Sequence, residues 1–148
     1  MTSDEIVQLA ERVATEAHRG QFRRGGSVPY IEHPRAVANR VGDDPDAMVV
    51  AWLHDVIEDT GETAESLLEK GIPRHCVEVV TLLTKGTGTD YDAYLERVAR
   101  SPLATKVKIA DMLSNLSDQP TPSQIRKYAK ALLRLSQPER EGKSGSPQ

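Results

Sequence analysis

His54-Asp55-Val56-Ile57-Glu58-Asp59 puts one imidazole and three carboxylates into six residues, directly after the apolar run Met48-Val49-Val50-Ala51-Trp52-Leu53. This pattern predicts one helix, on which His54 lies a turn below Glu58 and Asp55 a turn below Asp59. All four then share one broad side. Carboxylates that close repel one another unless something positive sits between them. A metal ion resolves the conflict: it binds the His-Asp pair and makes the remaining acids chemically useful. The competing reading is a solvated helix end before Thr60-Gly61. Acids at a helix C-terminus oppose the helix dipole, which weakens it.

Outward from this stretch, nearly every segment reads as helix. Thr2 with Glu5 forms a capping box, the apolar face Ile6, Leu9, Ala10, Val13, Ala17 follows, and Gly20 ends the helix. Residues 21–32 form an Arg/Gly-rich loop. Pro34 opens a short helix to Val41, and Asp44-Pro45 caps the helix that carries the six-residue stretch. Further helices run from Thr63 to Lys70, from Pro73 to a stop at Gly86, and from a Thr89 cap through Tyr91, Tyr94, Leu95 and Val98. Ser101-Pro102 and Thr121-Pro122 repeat the cap-then-Pro device for the last two. No segment alternates with period two, so the expected fold is all-α.

The chain has 148 residues, enough for one domain that buries roughly two-thirds of its unfolded surface. That domain is expected over 1–135, and the polar residues 136–148 are expected to be disordered. A net charge of −3 argues against a general nucleic-acid binder. No apolar run is long enough to span a membrane, and Met1-Thr2-Ser3-Asp4-Glu5 lacks the features of a signal peptide. Cys76 is the only cysteine, which fits a reducing, cytoplasmic setting and a small core residue. Charge is unevenly spread. Residues 43–69 hold nine acids and no Lys or Arg, while residues 97–134 hold eight Lys/Arg against Asp111 and Asp118. Apart from ordinary solvated faces, this contrast suits a small anionic substrate beside an acidic metal centre.

A metal needs ligands beyond His54 and Asp55. His33, in Tyr30-Ile31-Glu32-His33-Pro34, is one candidate, with Pro34 biasing its backbone towards extended geometry. Asp111 is the other, interrupting a basic and apolar helix, with Asn115 one turn on. Either could instead be an ordinary surface residue. Together the four form a two-His, two-carboxylate set, which suits Mn²⁺, Fe²⁺, Co²⁺ or Zn²⁺ better than Mg²⁺ or Ca²⁺.

His33-Pro34, His54-Asp55 and Asp111 are similar to the H…HD…D signature of the HD-domain metal-dependent phosphohydrolases. Ala17-His18-Arg19-Gly20-Gln21, the Arg/Gly loop, Pro29-Tyr30-Ile31-Glu32-His33-Pro34, Leu53-His54-Asp55-Val56-Ile57-Glu58-Asp59-Thr60 and Val107-Lys108-Ile109-Ala110-Asp111-Met112-Leu113-Ser114-Asn115-Leu116 extend the likeness. In that order they resemble the hydrolase domain of RelA/SpoT-type alarmone enzymes and stand-alone small alarmone hydrolases. The resemblance implies a single HD-domain bundle of about eight helices, with one Mn²⁺ on His33, His54, Asp55 and Asp111. It implies that Glu58 and Asp59 handle the attacking water and that Asn115 helps hold the nucleotide. An Arg of the family loop packs on the purine base. The loop Arg23-Arg24-Gly25-Gly26-Ser27-Val28-Pro29-Tyr30 is one residue longer than the family's, so either Arg23 or Arg24 takes that place.

Lys106 and Lys108 are candidate phosphate partners from their basic segment. Lys85 could also meet a phosphate, but Thr84-Lys85-Gly86-Thr87-Gly88 is no P-loop and reads as a helix stop. His18 reads as a structural residue meeting the last carbonyls of its helix, His75 as exposed, and Trp52, Met112, Leu113 and Leu116 as core. The expected reaction is metal-dependent removal of the 3′-pyrophosphate from guanosine 3′-diphosphate 5′-di(tri)phosphate, giving pyrophosphate and GDP or GTP. The partner is then a small nucleotide, with no nucleic acid or membrane. Rival readings are another nucleotide phosphatase, acting on the NADPH 2′-phosphate or a nucleoside monophosphate, a non-catalytic alarmone sensor, and a helical interaction module.

Overall fold

A computed structural model describes residues 1–137; residues 138–148, most of the expected polar tail, lie outside the described residues. Among the described residues the chain folds as α1 (Ser3–Ala17), a 3₁₀ turn (Arg23–Gly25), α2 (Glu32–Arg40), α3 (Pro45–Leu53), α4 (Val56–Asp59), α5 (Ala64–Glu69), α6 (Arg74–Leu83), α7 (Tyr91–Ala99), α8 (Pro102–Leu116) and α9 (Pro122–Leu135). The only β pairing among them is an isolated bridge between Phe22 and Pro29, across the Arg/Gly loop. No helix is long and apolar enough to cross a membrane.

Local chemistry sets most helix starts. Thr2 and Glu5 exchange both capping-box bonds, Asp44 accepts from Asp46 N–H ahead of Pro45, and Ser101 and Thr121 cap two further helices that begin with proline. α7 is capped by Asp90, not Thr89: the Asp90 carboxylate accepts from Ala93 N–H at 3.0 Å. Gly42 closes the turn after α2 at φ +83, a conformation costly for any side chain.

α3 is the centre of the bundle. Ala47, Val49, Val50, Ala51, Trp52 and Leu53 are all buried, so it is apolar around its whole circumference. α1, α2, α6 and α8 pack around it. Each fully buried Val or Leu here contributes roughly 1.5–3 kcal/mol of transfer free energy. α8 is half core, burying Val107, Ala110 and Met112, whereas Leu113, expected in the core, is 39 % exposed.

Two departures from the sequence reading bear on function. The helix expected to carry all six residues breaks: α3 stops at Leu53, His54 and Asp55 form a turn, and α4 begins at Val56. The second departure is at His33. It lies inside α2, which begins at Glu32, so its backbone is helical and not extended. Pro34 is the third residue of that helix, where a missing N–H costs no helical hydrogen bond.

Candidate metal centre

α2, the α3–α4 turn and α8 converge at one buried point. α2 supplies His33, the turn supplies His54 and Asp55, and α8 supplies Asp111. His33, His54 and Asp111 are 4 %, 4 % and 6 % exposed. His33 Nε2 lies 2.8 Å from Asp111 Oδ1 and 3.8 Å from Asp55 Oδ2. His54 Nε2 lies 3.1 Å from Asp55 Oδ2 and 3.4 Å from Asp111 Oδ1. Ligands about 2.1 Å from one ion stand roughly 3.0–3.4 Å apart at octahedral or tetrahedral angles. His33, His54 and Asp111 place their donor atoms within 4.8 Å of one another, close enough to share an ion, and Asp55 stands at the edge of that group against both imidazoles.

The tautomer of His54 points the same way. Its Nδ1–H donates to the Ala51 carbonyl at 2.7 Å, so the neutral ring carries its lone pair on Nε2. That buried nitrogen makes no hydrogen bond of good geometry, although two carboxylate oxygens stand beside it. A lone pair facing two anions needs a cation between them. Without a metal a proton takes the role: burial disfavours the imidazolium, but Asp55 and Asp111 outweigh it and raise the His54 pKa well above the ordinary value. Burial likewise works against both carboxylates, yet His54 draws Asp55 down to about 2, and Lys108 with His54 holds Asp111 well below the usual range. A centre of two imidazoles and two ionised carboxylates fits a divalent transition metal.

Further contacts orient the donors. Tyr30 OH donates to Asp55 Oδ2 at 2.6 Å, Lys108 Nζ donates to Asp111 Oδ2 at 3.1 Å, and Asn115 Nδ2 donates to Asp111 Oδ1 at 3.3 Å. Burial lowers and Asp111 raises the Lys108 pKa, with a net shift upward, so the side chain stays charged. Lys106 is exposed and lines another surface with Arg40 and Leu113.

The break after Leu53 separates the two acids that follow. Glu58 Oε1 accepts from the Lys85 backbone N–H at 3.0 Å and faces a recess beside the centre. Asp59 sits towards the loop after α1, where Gln21 Nε2 donates to its backbone carbonyl at 2.9 Å. Burial, then the negative charges of Asp55 and Glu58, push the Asp59 carboxyl up to about 6.

Two polar flanks border the centre. On one, Arg23 is 12 % exposed at its side chain and donates to Asn115 Oδ1 at 3.2 Å and Asp118 Oδ2 at 3.1 Å. Its guanidinium stands 5.7 Å from the Tyr30 ring centroid. Arg24, at φ +51, instead donates to the carbonyls of Asp118 and Gln119 beyond α8. Arg23 is therefore joined to the centre through Asn115, and Arg24 clamps the chain after α8. The other flank is a recess of about 130 Å³ that reaches His54, Asp55 and Asp111. Lys85, Lys108 and Lys127 line it with Tyr91, Tyr94 and Tyr128. The Tyr91 hydroxyl is buried there without a hydrogen-bond partner among the described residues. Lys127, Tyr91, Tyr94 and Tyr128 carried no site signal in the sequence, because only the packing of α7, α8 and α9 brings them together.

His18, expected to meet the last carbonyls of its helix, does not do so through its ring. It is 2 % exposed, 4.8 Å from the Tyr30 ring, and its Nδ1 lies 2.8 Å from Gln21 Oε1. A second meeting of ligand types joins Asp46, His75 and Cys76, but His75 Nε2 already pairs with Asp46 Oδ1 at 3.0 Å, and the Cys76 thiol points at the same oxygen. Burial pushes that thiol up to about 12, so it stays protonated.

Known proteins share much of this sequence and a similar fold. The chain is 37% identical over 143 residues to a bifunctional (p)ppGpp synthase/hydrolase RelA of Mycobacterium tuberculosis, covering 86% of this chain and 19% of that protein. It is 39% identical over 113 residues to a guanosine-3′,5′-bis(diphosphate) 3′-pyrophosphohydrolase of Haemophilus influenzae, covering 72% and 16%. The chain thus spans less than a fifth of the length of these relatives. Among solved structures it superposes on a metazoan SpoT ortholog described as hydrolysing ppGpp, with a TM-score of 0.74 and 25% identity over 88% of this chain and 84% of that one. No family model matches the chain.

Proposed function

We propose that this chain, an all-α HD-type bundle whose homologues are RelA/SpoT-family enzymes, is a metal-dependent nucleotide phosphohydrolase that removes the 3′-pyrophosphate of guanosine 3′-diphosphate 5′-di(tri)phosphate. The observation that carries this reading is the grouping of donor atoms from His33, His54 and Asp111, with Asp55 beside both imidazoles, at the wall of a lysine-lined recess. A divalent ion, Mn²⁺ in this reading, supplies Lewis acidity towards a phosphoryl oxygen and a water acidic enough to react near neutrality.

The chain's own residues supply the rest. Asp59, beside the His54–Asp55 turn, is placed to accept the water proton, with Glu58 orienting the water from the recess side. Water oxygen joins the phosphorus next to the ribose. The bond from that phosphorus to the ribose 3′ oxygen breaks, and the ribose oxygen takes up a proton. Negative charge on the departing pyrophosphate meets Lys85, Lys108 and Lys127. Arg23 and Asn115 hold the nucleoside side, with Arg23 over Tyr30 as a flat cationic surface for a base. Arg24 supports the loop and makes no direct nucleotide contact.

The test is pyrophosphate release from the 3′-diphosphate alarmone by the full chain, with and without Mn²⁺. Manganese-dependent release supports the reading. Activity confined to NADPH or nucleoside monophosphates replaces the substrate. Silence across all of these, in protein shown to carry metal, defeats the enzyme and favours a nucleotide sensor.

A further inference from the structure

Two polar groups, the buried His18 and the half-buried Gln21 amide, lie beside the centre, hydrogen-bond to none of the four ligands and do not line the recess. The Gln21 amide is oriented by its partners. Nε2 donates to the Asp59 carbonyl at 2.9 Å, which leaves Oε1 as the acceptor facing His18 Nδ1 at 2.8 Å. The His18 proton therefore sits on Nδ1. Nε2, the other ring nitrogen, is buried and has no hydrogen-bond partner among the described residues. A ring 2 % exposed that leaves one nitrogen unsatisfied is a poor choice for packing alone, since a phenyl ring would avoid the desolvation cost. Its one polar return is the hydrogen bond to Gln21.

We infer that His18 and Gln21 are positioning residues, a latch from the end of α1 that holds the Glu58–Asp59 turn in place for water activation. The latch rests on the reading of Glu58 and Asp59 given above. The turn needs it because the chain breaks at His54 and Asp55 and α4 is only four residues long. A single helical turn has few hydrogen bonds of its own to fix its direction. Asp59 N–H bonds Asp55 O at 2.9 Å and Thr60 N–H bonds Val56 O at 3.1 Å, while the Asp59 carbonyl reaches across 38 residues of sequence to Gln21. Tyr30 closes the same corner, its ring tilted at 44° against His18 with centroids 4.8 Å apart, while its hydroxyl donates to Asp55. Loosening this corner would let Asp59 drift without removing a metal ligand or a nucleotide contact.

Three full-length variants test this. His18→Phe keeps the ring and removes the donor, Gln21→Ala removes the bridge, and His18→Asn restores a donor near the Nδ1 position. With Mn²⁺ and the 3′-diphosphate alarmone, His18→Phe and Gln21→Ala should lower kcat roughly 10- to 100-fold, the scale of a small misplacement. KM should stay within about twofold, as expected when ground-state binding is untouched. Metal content should not change, and His18→Asn should recover most of kcat. NMR of the metal-free protein supplies a readout independent of turnover: the Asp59 carbonyl ¹³C shift should move in His18→Phe and Gln21→Ala and return in His18→Asn. An unmoved shift, or wild-type kcat in His18→Phe, overturns the latch. Wild-type silence on the alarmone defeats the preceding functional reading instead, and the carbonyl shift then decides the latch by itself.

Discussion

Among the described residues His and Asp side chains form two clusters of metal-ligand types, and they differ in how well their own polar atoms are satisfied. At Asp46, His75 and Cys76, the polar atoms satisfy one another: the His75 side chain is 62 % exposed, its Nε2 pairs with Asp46, and Cys76 keeps its proton. At His33, His54, Asp55 and Asp111, three of the four side chains are buried, and the Nε2 of His54 finds no hydrogen-bond partner among the described residues. His54 is tied at Nδ1, so its free lone pair looks at two carboxylates. Ligand residue types in proximity do not make a metal site. A site is marked by acceptors packed against acceptors, a conflict only a cation removes.

That contrast can be broken most directly at Asp111. Asp111→Ala or His54→Ala should abolish metal retention and turnover together, because four protein ligands leave little redundancy. Metal content equal to wild type in Asp111→Ala would remove Asp111 from the shell. Next in size, Glu58→Gln and Asp59→Asn should keep the metal while kcat falls by roughly 10²-fold or more, the usual contribution of a positioned acid or base. Loss of metal in Asp59→Asn would make it a ligand and enlarge the buried cluster.

Smaller effects separate the arginines. Arg23→Ala should raise KM by about tenfold with kcat little changed, the mark of lost uniform binding. Arg24→Ala should act on the loop through stability and leave KM near wild type. The reverse ranking would exchange their roles.

A pH series sharpens the contrast further. In the metal-free protein the raised His54 contributes stability below its unfolded value of 6.5, and that contribution is lost as pH climbs through its folded value. The lowered Asp55 and Asp111 contribute above 3.8 and lose that contribution as pH falls. Metal must displace the His54 proton, so the rise in Tm on adding a divalent ion should grow from about pH 5.5 to about pH 8. A Tm rise independent of pH would mean that His54 is not protonated in the metal-free state. The smallest effect belongs to the other cluster: His75→Ala and Cys76→Ser should leave one metal per chain and unchanged turnover. Loss of a second bound equivalent would show that this cluster also binds an ion.

Much of this was legible in residue order. Caps such as Thr2 with Glu5, Asp44-Pro45 and Thr121 read correctly because they depend on neighbours within four residues. That His33, His54, Asp55 and Asp111 lie near one another was also expected from their residue types, since His-Asp beside an apolar run has few other uses. The break after Leu53 was not, because His54 and Asp55 individually keep near-helical angles while the hydrogen-bond pattern changes. Asp90 was passed over for Thr89 because both are good caps and only the loop path chooses between them. The recess was invisible, since Lys85, Tyr91, Lys108 and Lys127 lie on separate elements and meet only after packing. His18 was misread for the same reason: its partner lies in a loop, and its cover, Tyr30, comes from beyond it.

The four donors also set when in the life of the chain an ion can be captured. His33, His54 and Asp55 emerge from the ribosome early, but Asp111 is 78 residues beyond His33. Its helix α8 must dock on α2 and α3 before the shell closes. Contacts of such long sequence separation form late, once the entropy of closing the intervening loop has been overcome. With the proposed ligand set, ion capture would report completed folding. A nascent chain that has made the His-Asp pair but not yet Asp111 holds only three of the four donors, which delays metal loading until α8 has docked.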